Sequence, residues 1–143
     1  MNINFLQDRH WYAALLLAVG VWGLYGLFIS PLKFNNIIEP LNVLLLSVLL
    51  YPIVEEIVFR GVVQEYFSRQ VRFKAHFLGI SLANILTSAL FAFSHLLNQD
   101  PLWALLTFFP SLIFGYFKDR HNNLFSCISL HVFYNLGFFV LIV

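Results

Sequence analysis

The chain is poor in charge. Asp, Glu, Lys and Arg together make up 10% of its 143 residues, whereas a soluble domain carries about 25%. Hydrophobic residues fill 60% and the mean hydropathy is +0.81, so the sequence reads as an integral membrane protein. No surplus of one sign stands out either. A net charge of +1 excludes a nucleic-acid partner, which needs a basic face or stripe. The single cysteine, Cys127, excludes an internal disulfide, and its apolar surroundings make it a small buried hydrophobe. No repeat, low-complexity tract or Pro/Gly-rich linker divides the chain, so residues 1–143 read as one domain.

What is present is a series of apolar runs separated by short polar stretches. A membrane-spanning helix needs about 20 apolar residues. The first run, 11 to 29, meets that length and lacks an Ala-x-Ala cleavage signal, so it reads as a retained helix rather than a secretory signal peptide. Trp11 and Tyr12 are its expected interface anchors. Further spans are expected over 41 to 59, 77 to 97, 102 to 117 (broken by Pro110) and 124 to 143, with the second continuing as an amphipathic helix through Tyr66 and Phe67. The fold class is therefore all-α: a polytopic transmembrane helical bundle of about five spans. With the N-terminus cytoplasmic and the C-terminus outside, Arg9, Arg69, Arg72, Lys74, Lys118 and Arg120 fall on the inner side and Lys33 outside, as the positive-inside rule requires. A prokaryotic inner or plasma membrane is the expected location.

The organising stretch is Tyr51-Pro52-Ile53-Val54-Glu55-Glu56-Ile57-Val58-Phe59-Arg60-Gly61. An ionised side chain in hydrocarbon costs at least about 2.5–3.5 kcal/mol, and a structural helix has no reason to bear that twice in succession. Arg60 stands one turn after Glu56 and can pair with it. Glu55 projects about 100° away and is left for chemistry. Pro52 cannot donate to the carbonyl of Val48, so a kink or local unwinding is expected beside the carboxylates. In the third run Ser81, Asn84, Ser88, Phe91 and His95 fall on one helical face. The first three suit interhelical hydrogen bonding, while His95 titrates near neutral pH and can move protons. His131 and Asn135 share a face of the last run, and an asparagine amide can stabilise an oxyanion. A carboxylate, a histidine and an amide donor are the parts needed to activate water and hold a tetrahedral intermediate.

The order Glu-Glu-x-x-x-Arg (Glu55, Glu56, Arg60), Phe-x-x-x-His (Phe91, His95), His-x-x-x-Asn (His131, Asn135) resembles the CPBP family of CAAX proteases and bacteriocin-processing enzymes, to which Rce1 is related. The motif-bearing core covers about residues 41–143. The resemblance implies a glutamate-dependent intramembrane endopeptidase without a cofactor. Glu55 would be the base, acting on water with His95; His131 and Asn135 would polarise the carbonyl or bind the oxyanion; Glu56, Arg60 and Phe91 would order the site. The chain has fewer spans than many members, and its size fits those that resemble sorting proteases. The implied partner is a membrane-associated protein or peptide substrate, or a C-terminally anchored precursor, within the lipid bilayer. Three other readings stand beside it: a non-catalytic immunity or scaffold protein of the same fold, a zinc-dependent membrane peptidase using the glutamates and histidines, and a proton relay in a small transporter.

Overall fold

The computed structural model describes residues 4–29, 41–73 and 75–141. The first loop with Lys33, and Lys74 in the basic loop, lie outside the described residues. Helix α1 (Arg9–Phe28) starts where Asp8 accepts a hydrogen bond from the His10 amide at 3.0 Å, an N-cap that satisfies one of the orphan donors of the first turn. Its outer face carries Leu16, Leu17, Val21, Leu24 and Leu27, all exposed, as a helix face against lipid should be. Trp11 is not the interface anchor expected of it. It is buried, and its indole Nε1–H donates to the Ser126 carbonyl at 3.2 Å. A polar N–H with a partner inside the bundle, on a large apolar ring, favours burial over the interface. Tyr12 is exposed.

Helix α2 (Asn42–Arg69) is long and apolar enough to cross a membrane, as is α1. It is not uniform. Two stretches, Leu45–Leu50 and Ile57–Gln64, are wound as π-helix, and the Tyr51 N–H bonds the Leu46 carbonyl five residues back. Pro52 opens the short α-helical stretch Tyr51–Glu56 between them. The unwinding expected at the proline is thus a widened helix on both sides of the carboxylates, a distortion that recurs at functional sites.

Residues 77–81, expected to begin the third span, instead complete a small antiparallel hairpin. Strands β1 (His76–Phe77) and β2 (Ile80–Ser81) pair across a two-residue turn whose residues, Leu78 and Gly79, both have positive φ, 50° and 82°. That is the turn type that matches strand twist, and Gly79 adopts it without strain. Helix α3 (Leu82–His95) follows, capped by the Ser81 hydroxyl, which accepts from the Asn84 amide at 3.0 Å. The expected turn before Pro101 is present, with Asp100 capping α4 (Pro101–Leu106). Pro110 has no N–H for the carbonyl of Leu106, and the fourth run breaks at Thr107 into α4 and α5 (Phe108–His121). Asn122, in the left-handed region at φ 50°, ends α5, as the last turn of a helix often requires. Helix α6 (Phe125–Leu141) completes the bundle. Its packing against α1 and α5 forms a core of Trp11, Ala14, Phe114, Phe117, Cys127 and Leu130, with Cys127 the buried hydrophobe expected.

Candidate active site

Three helices bring the motif residues together. Glu56 and Arg60, on α2, are both fully buried, and Arg60 Nε donates to Glu56 Oε2 at 3.2 Å. From α6, His131 turns Nδ1 to the other Glu56 oxygen at 2.9 Å. A carboxylate paired with arginine can only accept, so Nδ1 carries the proton of that bond. The opposite ring nitrogen, Nε2, then faces Glu55 Oε2 at 3.6 Å. One imidazole therefore stands between the two glutamates, ordered by Glu56 and directed at Glu55. The Glu55 side chain keeps 30% of its surface exposed, against none for Glu56, so the two adjacent carboxylates occupy different environments.

Phe91, on α3, is the packing centre of the site. Its ring lies 4.5 Å from the His95 ring, 5.8 Å from the His131 ring and 5.0 Å from Phe59, with the Arg60 guanidinium 5.8 Å from its centroid. Phe114 stacks on His131 at 4.6 Å. Two aromatic rings thus fix the plane of the imidazole. His95, in the last turn of α3, bonds the Phe91 carbonyl through Nδ1 at 2.9 Å. A carbonyl only accepts, so this bond leaves Nε2 as the basic nitrogen. Phe91, whose ring lies against both imidazoles, places His95 beside His131. Asn135, one turn beyond His131, donates through Nδ2 to the Ser47 carbonyl at 3.0 Å. This anchors the amide to the π-wound part of α2, and among the described residues its second N–H has no partner.

The sequence placed Ser81, Asn84 and Ser88 in interhelical hydrogen bonding. Asn84 Nδ2 reaches α5 by donating to the Leu112 carbonyl at 2.9 Å, and the Ser81 hydroxyl donates to Asp119 of α5 at 2.6 Å, whereas Ser88 bonds within α3, its Oγ donating to Asn84 Oδ1 at 3.0 Å. Sequence reasoning missed Gln64, Ser111 and Asp119. Arg60 Nη1 donates to Gln64 Oε1 at 3.2 Å, and Nη2 donates to the Ser111 carbonyl at 2.9 Å and to its hydroxyl. A signal for Gln64 existed, since Glu56, Arg60 and Gln64 recur every four residues. Among the described residues no three His, Cys, Asp or Glu side chains are grouped to hold a metal ion.

No curated protein and no solved structure matches the chain. A family model described as type II CAAX prenyl endopeptidase Rce1-like matches residues 37–137, which takes in every residue of the glutamate–histidine cluster. With more than half its length inside that match, the chain belongs to the Rce1-like family of CAAX-type membrane proteases.

Proposed function

We propose that the chain is an intramembrane endopeptidase in which Glu55 activates water without a metal ion. The observation that carries this reading is the single imidazole of His131 bonded to Glu56 and directed at Glu55. Glu56 is consumed by Arg60 and His131, so it serves as an orienting anion rather than as a base. Glu55 is the carboxylate with exposed surface, and its 3.6 Å separation from His131 Nε2 exceeds a direct hydrogen bond. A water can contact both groups across such a gap.

In the reaction, a water at that position gives its proton to Glu55 as its oxygen attacks the scissile carbonyl carbon. The carbonyl π pair moves onto oxygen. The resulting oxyanion is held by the remaining Asn135 N–H, a donor of the kind worth about 10²–10³ in rate, while His131, its Nδ1–H committed to Glu56, accepts from the attacking water through Nε2. The proton on Glu55 then passes, with His95 alongside, to the departing amine as the C–N bond breaks, and the acid product leaves. The substrate is a membrane-associated peptide or C-terminally anchored precursor, since only a segment lying in or on the bilayer reaches a site between these helices.

The basic end of the bundle supports a cytoplasmic N-terminus. Asp8 at the start of α1 pairs with Arg120 at the end of α5, and Glu65 at the end of α2 pairs with Lys118 at 3.1 Å, which gathers those ends on one side. His95 lies at the far end of α3 from Ser81. Between them the interior is filled by Arg60, Gln64, Asn84, Ser88 and Phe91, all buried. Glu55 and His95 therefore lie toward the end away from the basic one, on the extracytoplasmic side.

The test is cleavage of a membrane-anchored reporter precursor by purified protein in liposomes. Glu55→Gln and His95→Ala are each expected to abolish cleavage while inserting as the wild type does. Near-normal turnover in either variant overturns the roles of Glu55 and His95. Addition of 1,10-phenanthroline is expected to leave the wild-type rate unchanged; its loss, restored by zinc, replaces this mechanism with the zinc-dependent one.

A further inference from the structure

Five polar contacts in line lead from the rim of the bundle to Glu55. Asp119, exposed at the end of α5, accepts from Gln64 Nε2 at 2.7 Å. Gln64 Oε1 accepts from Arg60 at 3.2 Å, Arg60 binds Glu56 at 3.2 Å, Glu56 binds His131 at 2.9 Å, and His131 faces Glu55 at 3.6 Å. From this line we infer that Gln64 and Asp119, which lie outside all three sequence motifs, are positioning residues for the reaction: they fix Arg60 and, through Glu56, the tautomer and orientation of His131. The inference rests on the reading of His131 as the partner of Glu55.

The two ends of the Gln64 amide differ only in which can donate. Its Nε2 faces two acceptors, the Asp119 carboxylate and the Gly115 carbonyl at 3.0 Å. Both demand N–H groups, so the amide cannot turn over, and its oxygen is directed at Arg60. Asp119 is itself held, accepting from the Ser81 hydroxyl at 2.6 Å, and that hydroxyl caps α3. The helix bearing Phe91 and His95 thus starts on the same carboxylate that orients Gln64. At the far end, the guanidinium is a rigid fork with every partner assigned: Glu56 on Nε, Gln64 on Nη1, Ser111 on Nη2. An arginine so buried and so bonded has one orientation, and Glu56 inherits it. Arginine does not release its proton in proteins, so the line is not a route for protons. What it transmits is orientation.

Asp119, the outer end of the line, lies at the basic end of the bundle, where with Ser68, Phe73, His76, Ser81 and Ala83 it lines a small pocket of about 250 Å³.

The experiment is ¹⁵N NMR of histidine-labelled protein in lipid nanodiscs, with the His131 resonances assigned by their loss in His131→Asn. In the wild type Nδ1 should be the protonated nitrogen. Gln64→Met keeps the volume but removes both ends of the amide. It should give mixed tautomers at His131, while His95, held by the Phe91 carbonyl, keeps its signals. Asp119→Ala should act in the same direction. Asp119→Asn should restore the wild-type spectrum, because its oxygen still accepts from Gln64 and its amide can donate to Ser81. With the reporter precursor, Gln64→Met should lower kcat about tenfold or more with KM within about twofold. A folded Gln64→Met protein with wild-type His131 signals overturns the inference. If that variant does not fold, unchanged His131 signals in Asp119→Ala do the same. A wild type that cleaves nothing, while His131 responds to these variants, sinks the protease reading and leaves the positioning line standing.

Discussion

At the scale of single residues, Glu55 and Glu56 show how position separates two identical side chains. Adjacent on α2, they differ in that one is buried against Arg60 and His131 while the other faces the His131 imidazole at 3.6 Å and keeps 30% of its side chain exposed. Glu56, Arg60 and Gln64 form a buried stack along one helix face, and its stability depends on every member being paired. Removing one partner of a buried ion pair commonly costs about 3–5 kcal/mol, because the survivor is left as an uncompensated charge. Arg60→Ala should therefore lower the yield of folded protein and its thermal midpoint as well as its activity. Normal yield with an unchanged midpoint would mean that the Glu56–Arg60 pair adds nothing to folding. The motif residues were legible in the sequence because carboxylates, histidines and an arginine are conspicuous in apolar runs. Ser111 and Asp119 were not. Ser111 acts through its backbone carbonyl as much as its hydroxyl, and Asp119 sits in a charged helix end where a carboxylate draws no notice.

Among the helices, close approach decides which faces can meet. A Cβ at Gly115 would lie 1.9 Å from Asn84 Oδ1 and 2.8 Å from Gln64 Oε1, so α5 reaches α3 and α2 at this point only without a side chain. Gly115→Ala forces Asn84 off its bond to the Leu112 carbonyl or Gln64 off its bond to Asp119. Overpacking of this kind costs about 1–3 kcal/mol, and the loss should appear as a lowered midpoint in thermal unfolding. Gly61→Ala is the control, since its Cβ would meet only Leu124 Cδ1 at 3.4 Å, and it should be near neutral. An equal loss at both positions would point to helix-wide effects instead of this contact. Element order and the central part of each span were readable from hydropathy, because lipid and bundle interior both select apolar residues. The exceptions have local causes. Phe77 to Ser81 is apolar enough to pass for helix, but Leu78 and Gly79 turn the chain back, and Gly79 was the available sign. The π-wound stretches of α2 leave no mark on composition, since they depend on hydrogen-bond register and on how α2 seats against α6.

At the scale of the whole molecule, one charged cluster closes the basic end. Asp8 accepts from Arg120 Nε, from Arg120 Nη2 at 3.2 Å and from His121 Nε2 at 2.9 Å, which ties the start of α1 to the end of α5. The Arg120 guanidinium, followed by the His10 amide and His121, holds the Asp8 carboxyl well below the usual carboxylate range. A depressed folded-state value means stability that is present above the unfolded value of about 3.9 and lost as pH falls through the folded one. Asp8→Asn should therefore unfold at a lower temperature than the wild type at pH 7, with the gap closing toward pH 2. A gap independent of pH would assign the effect to packing.

The same cluster bears on which side the site faces. It gathers Arg9, Lys118 and Arg120 at one end of the bundle, beside Arg69 on α2, and cytoplasmic loops carry the excess of such residues. His95 is fourteen residues along α3 from Ser81 at that end, a rise of about 21 Å within a hydrocarbon core of about 30 Å. His95 is thus nearer the opposite face. Cysteine labelling reads this directly, because the native Cys127 is fully buried and gives little background. Cysteines placed at Asn98 and Gln99, in the turn after α3, should react with a membrane-impermeant thiol reagent in intact cells. Ser94→Cys, half-buried one residue before His95, should react from that same side and be protected when a membrane-anchored precursor is bound at the site. Labelling of Ser94→Cys only after the cytoplasmic face is opened would put the site on the inner side and overturn the orientation.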